Sequence, residues 1–247
     1  SPFQYLTEIM DDERPHHVVA HASHIHMVAN NSMNISPWNS VTGWRTDDVE
    51  HFTEGGRIIT GMVSSPDALV VLKENTLYLL TGNLFDGWVR SRPLTDVGCI
   101  ALRSPVLVGG FVFFVSRDGI YMWGGNNAVK VSKHIQSDID GWTLTDACGI
   151  RYQNEYWVGF PTDSIVLTCD PDTVREDDAG DGRVSFFKFK TYKVQQFIYE
   201  GGSGDSGYLL AIADNGTNPY IARCDNALQD NLGTAASIDM KMQTKYV

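Results

Sequence analysis

Five histidines, His16, His17, His21, His24 and His26, form the densest histidine group in the chain. On a strand, His24 and His26 fall on the same face, because strand side chains alternate with a period of two. Two imidazoles so placed can begin a divalent-metal site, which needs three or four ligands. Asp11, Asp12 and Glu13 are the nearest oxygen donors in sequence. Histidine-rich segments near a chain end are ordinarily solvated, so neither a metal nor a cofactor is expected. A second constellation pairs Ser206, within Gly204-Asp205-Ser206-Gly207, with His21, within Val19-Ala20-His21-Ala22. Serine as nucleophile, histidine as base and an aspartate orienting the imidazole would perform acyl transfer.

The serine segment resembles the nucleophile segment of trypsin-like serine proteases, and the histidine segment resembles theirs more loosely. The departures fall where they matter. Tyr208 stands where that family has a second glycine, and no proline follows. A bulky side chain there would disturb the strand lining the substrate pocket. Small residues before an apolar run also make a good hairpin turn, so no catalytic residue is expected. Ser116-Arg-Asp-Gly-Ile-Tyr-Met-Trp123 resembles the Asp-box of sialidase-type propellers, with Gly119 directly after Asp118. That resemblance implies a structural turn and no activity. Asp214-Asn-Gly-Thr-Asn218 and Asp177-Asp178-Ala-Gly-Asp181 are rich in oxygen donors but lack the calcium-loop spacing that ends in a bidentate glutamate.

The elements that must position these residues come from a repeat. Leu69-Val-Val-Leu-Lys-Glu-Asn-Thr-Leu-Tyr-Leu-Leu80 aligns with Val112-Phe-Phe-Val-Ser-Arg-Asp-Gly-Ile-Tyr-Met-Trp123 at an offset of 43 residues, bringing Tyr78 onto Tyr121. An apolar run, a short polar turn and a second apolar run predict a β-hairpin. Weaker copies begin at Ile25, at an offset of 44, and at Tyr156, with one residue inserted in the turn. A fifth hairpin runs from Tyr208 through Arg223. A second echo links Leu94-Thr-Asp-Val-Gly-Cys-Ile100 with Leu144-Thr-Asp-Ala-Cys-Gly-Ile150, at an offset of 50.

A recurrence of about 43–50 residues is the size of one four-stranded propeller blade. Runs that are apolar at every position predict strands buried on both faces. The fold expected is therefore all-β and β-propeller-like, a single domain over residues 1–247 with minimal helix. A two-sheet sandwich is the competing architecture. Ser132 is expected to cap one short helical turn carrying Ile135 and Ile139. Residues 170–183 read as a long polar surface loop, whose Arg175, Glu176, Asp177, Asp178 and Asp181 are candidate contact residues. Residues 236–247 alternate and read as a last strand.

The chain has 247 residues, 43% of them hydrophobic, with 23 glycines and a net charge of −11. That balance opposes tight binding to nucleic-acid phosphates, which relies on Lys and Arg. It suits a channel that DNA passes without sticking. Cys99, Cys148, Cys169 and Cys224 form no CxxC pair and sit in or beside apolar runs, as buried free thiols in a reducing compartment do. Residues 1–14 carry no secretory signal, and the most apolar stretch is far too short to span a bilayer. The start at Ser1, without an initiator Met, fits a processed product or part of a longer polypeptide.

One longer succession carries the functional expectation. Thr53-Glu-Gly-Gly-Arg-Ile-Ile-Thr-Gly61 precedes the first strong hairpin. Val97-Gly-Cys-Ile-Ala-Leu-Arg-Ser104, Val108-Gly-Gly-Phe-Val-Phe-Phe-Val-Ser-Arg-Asp-Gly-Ile-Tyr-Met-Trp-Gly124 and Val129-Lys-Val-Ser-Lys133 follow, then Gly204-Asp-Ser-Gly-Tyr-Leu209 and Thr244-Lys-Tyr246. From about Ala22 to the end, this order resembles the propeller-containing tail nozzle, tail-tube or packaged-DNA stabilisation proteins of short-tailed bacteriophages, which are often much longer. The resemblance implies a virion tail protein, assembled in the host cytoplasm as a homo-oligomeric ring. It would dock on portal, adaptor or other tail proteins, with DNA as passing cargo and no membrane insertion. It carries over no catalytic residues. A glycan-binding or glycan-cleaving propeller and a trypsin-like protease are the competing classes.

Overall fold

Short apolar runs separated by two-residue turns favour hairpins, because each run can satisfy its backbone only by pairing with its neighbour. The computed structural model describes residues 15–41, 44, 48–83, 87–93, 95–125, 127–173, 175–176, 182–190, 193–201, 207–214 and 219–224. It is mostly antiparallel β-structure, divided into two compact units, Ser1–Ile100 and Ala101–Val247.

In the first unit, β1 (His17–His21), β2 (His24–Ala29), β3 (Ser32–Ile35) and β4 (Val49–His51) form one four-stranded meander. A second meander comprises β5 (Ile59–Ser64), β6 (Leu69–Lys73), β7 (Leu77–Asn83) and β8 (Gly87–Ser91). Ala22 and Ser23, at φ 48° and 65°, turn the chain from β1 into β2. Two consecutive left-handed residues match the right-handed twist of the strands they join. The two sheets pack face to face through Val28, Met33 and Phe52 on one side and Met62, Leu69 and Val71 on the other. Burying a side chain of this size contributes about 1.5–3 kcal/mol.

In the second unit, β9 (Val106–Val108), β10 (Phe111–Ser116), β11 (Gly119–Trp123) and β12 (Ala128–Lys130) form another four-stranded meander. Next come a 3-10 turn, Lys133–Ile135, and one helical turn, α1 (Gln136–Ile139). A fourth sheet orders β13 (Cys148–Tyr152), β14 (Glu155–Phe160), β15 (Ile165–Cys169) and β18 (Phe186–Lys190), interrupted by the hairpin β16 (Arg175–Glu176) and β17 (Gly182–Arg183). A three-stranded sheet closes the described chain with β19 (Lys193–Glu200), β20 (Tyr208–Asp214) and β21 (Pro219–Arg223). Tyr156 joins the third and fourth sheets. Its ring stacks on Phe113 at 5.1 Å, and its hydroxyl donates to the Ser104 carbonyl at 2.9 Å. Tyr156 is fully buried, so Tyr156→Phe should destabilise the unit by about 1 kcal/mol, the net value of one such bond. A denaturant midpoint unchanged from the parent protein would contradict that.

The expected hairpins are present, and their registers agree. Leu69 faces Leu80 and Val71 faces Tyr78, as Val112 faces Trp123 and Phe114 faces Tyr121. Each pair supplies the middle strands of its sheet. In the first sheet Val28 faces Met33 and Ala29 faces Ser32, in keeping with an offset of 44. The hairpin that starts near Tyr156 departs slightly: residues 161–164 separate Phe160 from Ile165, where residues 117–118 separate Ser116 from Gly119. Its turn is longer by two residues rather than one. The fifth hairpin pairs Leu210 with Arg223.

Two other expectations are corrected. Ser132 precedes the helical turn but does not cap it; its hydroxyl accepts from the Ile120 amide at 3.0 Å and serves the neighbouring strand. Residues 170–183 are not one long loop, since Pro171 is buried in a 3-10 turn and β16 pairs with β17. Of the second echo, the described residues 95–100 form no strand, whereas the counterpart enters β13. Within 95–100, Gly98 lies against the β6–β7 turn: a Cβ would meet the Lys73 carbonyl oxygen at 2.0 Å. The strand expected over 236–247 lies outside the described residues.

Candidate functional site

The histidine group lies on β1, β2 and the residue that leads into β1, so strand alternation decides which imidazoles are buried. His24 and His26 share a face of β2 and are 1% and 0% exposed. Trp88, from β8, makes a T-shaped contact with each, its ring centre 5.4 Å from that of His24 and 5.3 Å from that of His26. His21 lies 6.0 Å from His26, between ring centres. His24 Nδ1 donates to the Ser36 carbonyl at 2.7 Å, which leaves its Nε2 facing the interior without a partner. Neither ring nitrogen of His26 has a hydrogen-bond partner.

The remaining histidines reach across to β5. His16 Nε2 donates to the Ile59 carbonyl at 2.9 Å, and His17 Nε2 to the Thr60 carbonyl at 3.1 Å. His21 Nδ1 meets Ser64 Oγ at 2.9 Å. Every one of these pairs is separated by 43 residues. A constant offset over five positions means that β1 and β5 run side by side in the same direction. The second unit repeats this relation, where Arg103 pairs with Cys148 as an isolated parallel bridge beside β9 and β13.

Burial sets the charge state of the group. It pushes His26 down to about 3, helped by the positive charge that His21 and His24 would carry, while the His21 backbone pulls the other way. Burial also lowers His21, with His24 adding to the effect. His17 is lowered by burial and by His16, against the opposing bond to Thr60. Among the described residues, no group of three or more His, Cys, Asp or Glu is arranged to hold a metal ion. Asp11, Asp12 and Glu13 lie outside the described residues, as does Ser206.

The other candidates are placed as follows among the described residues. In the turn with the Asp-box pattern, the Asp118 carboxylate accepts from the Tyr121 hydroxyl at 3.1 Å and from Lys130 Nζ at 3.0 Å. Burial and then the Asp118 charge push Tyr121 up to about 12. None of the four cysteines forms a disulfide, and three of them are buried. Burial pushes Cys148 up to about 11 and likewise raises Cys169, which suppresses the reactive thiolate. Of the candidate contact residues, Arg175 and Glu176 lie on β16, facing Arg183 and Gly182. Asp177, Asp178 and Asp181 lie outside the described residues.

Lys73 carried no signal in the sequence beyond its place at the end of an apolar run. It is 0% exposed. Its ammonium donates to Asn31 Oδ1 at 2.8 Å and to the Phe52 carbonyl, tying the β6–β7 turn to the first sheet. Burial lowers its pKa, opposed by Glu74.

In comparison with known proteins, the chain matches no protein-family model and no curated sequence.

Proposed function

We propose that the chain is a β-propeller-type structural component of a short-tailed bacteriophage tail, forming a nozzle or connector ring that retains packaged DNA and conducts it at ejection. Support for the propeller comes from the repeated meanders and, above all, from two parallel approaches, β1 beside β5 and Arg103, ahead of β9, beside Cys148 in β13. Blades around an axis place their first strands side by side in one sense. A two-sheet sandwich has no reason to repeat that relation. Support for the tail role comes from the order of motifs between Thr53 and Tyr246 and from the net charge of −11. Carboxylates along a lumen would repel phosphates and smooth the passage of DNA.

A conduit for duplex DNA needs several copies around an axis. The expected result is a closed ring, visible in electron micrographs, alone or imposed by a portal or adaptor partner. Duplex DNA should bind weakly even at low salt, where attraction to a basic surface would be strongest. Tight, salt-sensitive DNA binding would contradict the conduit. A protein that stays monomeric at high concentration, with and without virion partners, would overturn the ring and favour the glycan-binding alternative.

A further inference from the structure

We propose that His21, His24 and His26, packed beneath Trp88, form an acid-operated latch that holds β1 against β5 at neutral pH and releases it when protonated. The argument starts from atoms. His24 donates through Nδ1, so its Nε2 is a bare acceptor in a buried site. His26 is wholly buried with both nitrogens unpartnered. In neutral His26 one ring nitrogen already carries a hydrogen, so a proton added to the other makes a second buried N–H and a charge without a counter-charge. A second charge would then lie only 6.0 or 6.4 Å away, between ring centres.

Apart from the His21 backbone, which favours a proton on His26, the surroundings offer no relief. From β1, the group facing His26 is His21, another potential cation; from β2 it is His24. From β5 comes the uncharged Ser64, through His21, and from β8 the uncharged Trp88. Arg90, two residues further along β8, turns to Glu50 and the His51 carbonyl and covers the Phe52 ring. His16, ahead of β1, and His17, at its start, donate to the β5 carbonyls of Ile59 and Thr60. Among the described residues, no carboxylate faces the cluster.

The direction of the effect follows from linkage. His26 is held at about 3 in the closed form, against 6.5 for an exposed histidine. The opened form therefore binds more protons between these values, and closure, complete above about pH 7, weakens as pH falls through 6.5 toward 3. His26 alone shifts the open-to-closed ratio by about 30-fold between pH 8 and pH 5. β1 yields first, because it is an edge strand whose contacts to β5 run through His16, His17 and His21.

The test is amide hydrogen exchange of the whole chain at pH 8 and pH 5, expressed as protection factors corrected for intrinsic exchange. Protection over His17–His21 should fall by about 30-fold, while that over β14 and β15 in the second unit should not follow. His26→Leu should flatten the dependence, and His26→Phe serves the same purpose if the leucine variant does not fold. Imidazole proton titration by NMR gives an independent reading. Protection at β1 that does not change with pH, an undiminished dependence in the folded variant, or a His26 resonance titrating near 6.5 in the closed protein would overturn the latch.

Discussion

Gly98→Ala should destabilise the first unit by about 3 kcal/mol, the upper range for forcing an atom into a packed site. The added Cβ would stand 2.0 Å from the Lys73 carbonyl oxygen, 2.6 Å from the Thr76 nitrogen and 2.7 Å from the Asn75 nitrogen. All three are backbone atoms of one tight turn, so no side chain can swing aside. The same carbonyl also accepts from the Cys99 amide at 2.8 Å, which fixes the distance between the segments. Gly141→Ala is the matched control, since nothing lies within 4 Å of a Cβ there. Chemical denaturation should show a large fall in midpoint for the first variant and almost none for the second. Equal midpoints would mean that the 95–100 segment is not seated on the turn.

Lys73→Ala should cost a similar amount, about 3 kcal/mol, for a different reason. Truncation empties the space filled by the aliphatic stem. It also removes the donor that Asn31 Oδ1 and the Phe52 carbonyl share. An acceptor left buried and unpaired costs about 1–3 kcal/mol. Lys73→Met separates the two contributions, because it restores most of the packing and neither hydrogen bond. It should recover roughly half of the loss. Full recovery by methionine would show that the ammonium contributes nothing net, as happens when the desolvation of a buried charge offsets its bonds. No recovery would assign the whole effect to the polar contacts.

The hairpins were legible because local chemistry specifies them: four apolar residues, a turn that tolerates left-handed backbone, and four more. Register then follows from turn length, which is why Tyr78 and Tyr121 occupy matching places. What failed was whatever depends on competition between partners distant in sequence. Ser132 has the side chain of a helix cap, but the Ile120 amide takes its hydroxyl. Lys73 has the side chain of a surface residue, and lysine is almost never fully buried. Only the arrival of Asn31 and the Phe52 carbonyl makes its position tenable. The imidazoles were legible as a cluster, yet whether they were solvated or sealed depended on Trp88, far along the chain. Residues 170–183 misled through composition: polar residues and glycines suit a two-stranded hairpin as well as a loop.

That hairpin has a consequence for how the protein can diversify. The chain leaves the fourth sheet after β15 and returns as β18, with Cys169 facing Phe186 at the point of re-entry. The β15–β18 register is fixed by strand pairing and does not depend on what lies between. Lengthening such an excursion costs only about 0.6 kcal/mol for each doubling. Selection can therefore rewrite this stretch in size and charge while the buried strands stay unchanged. Change of partner would be inherited most cheaply here, and a foreign epitope or reporter spliced into 177–181 should leave the fold beneath it intact.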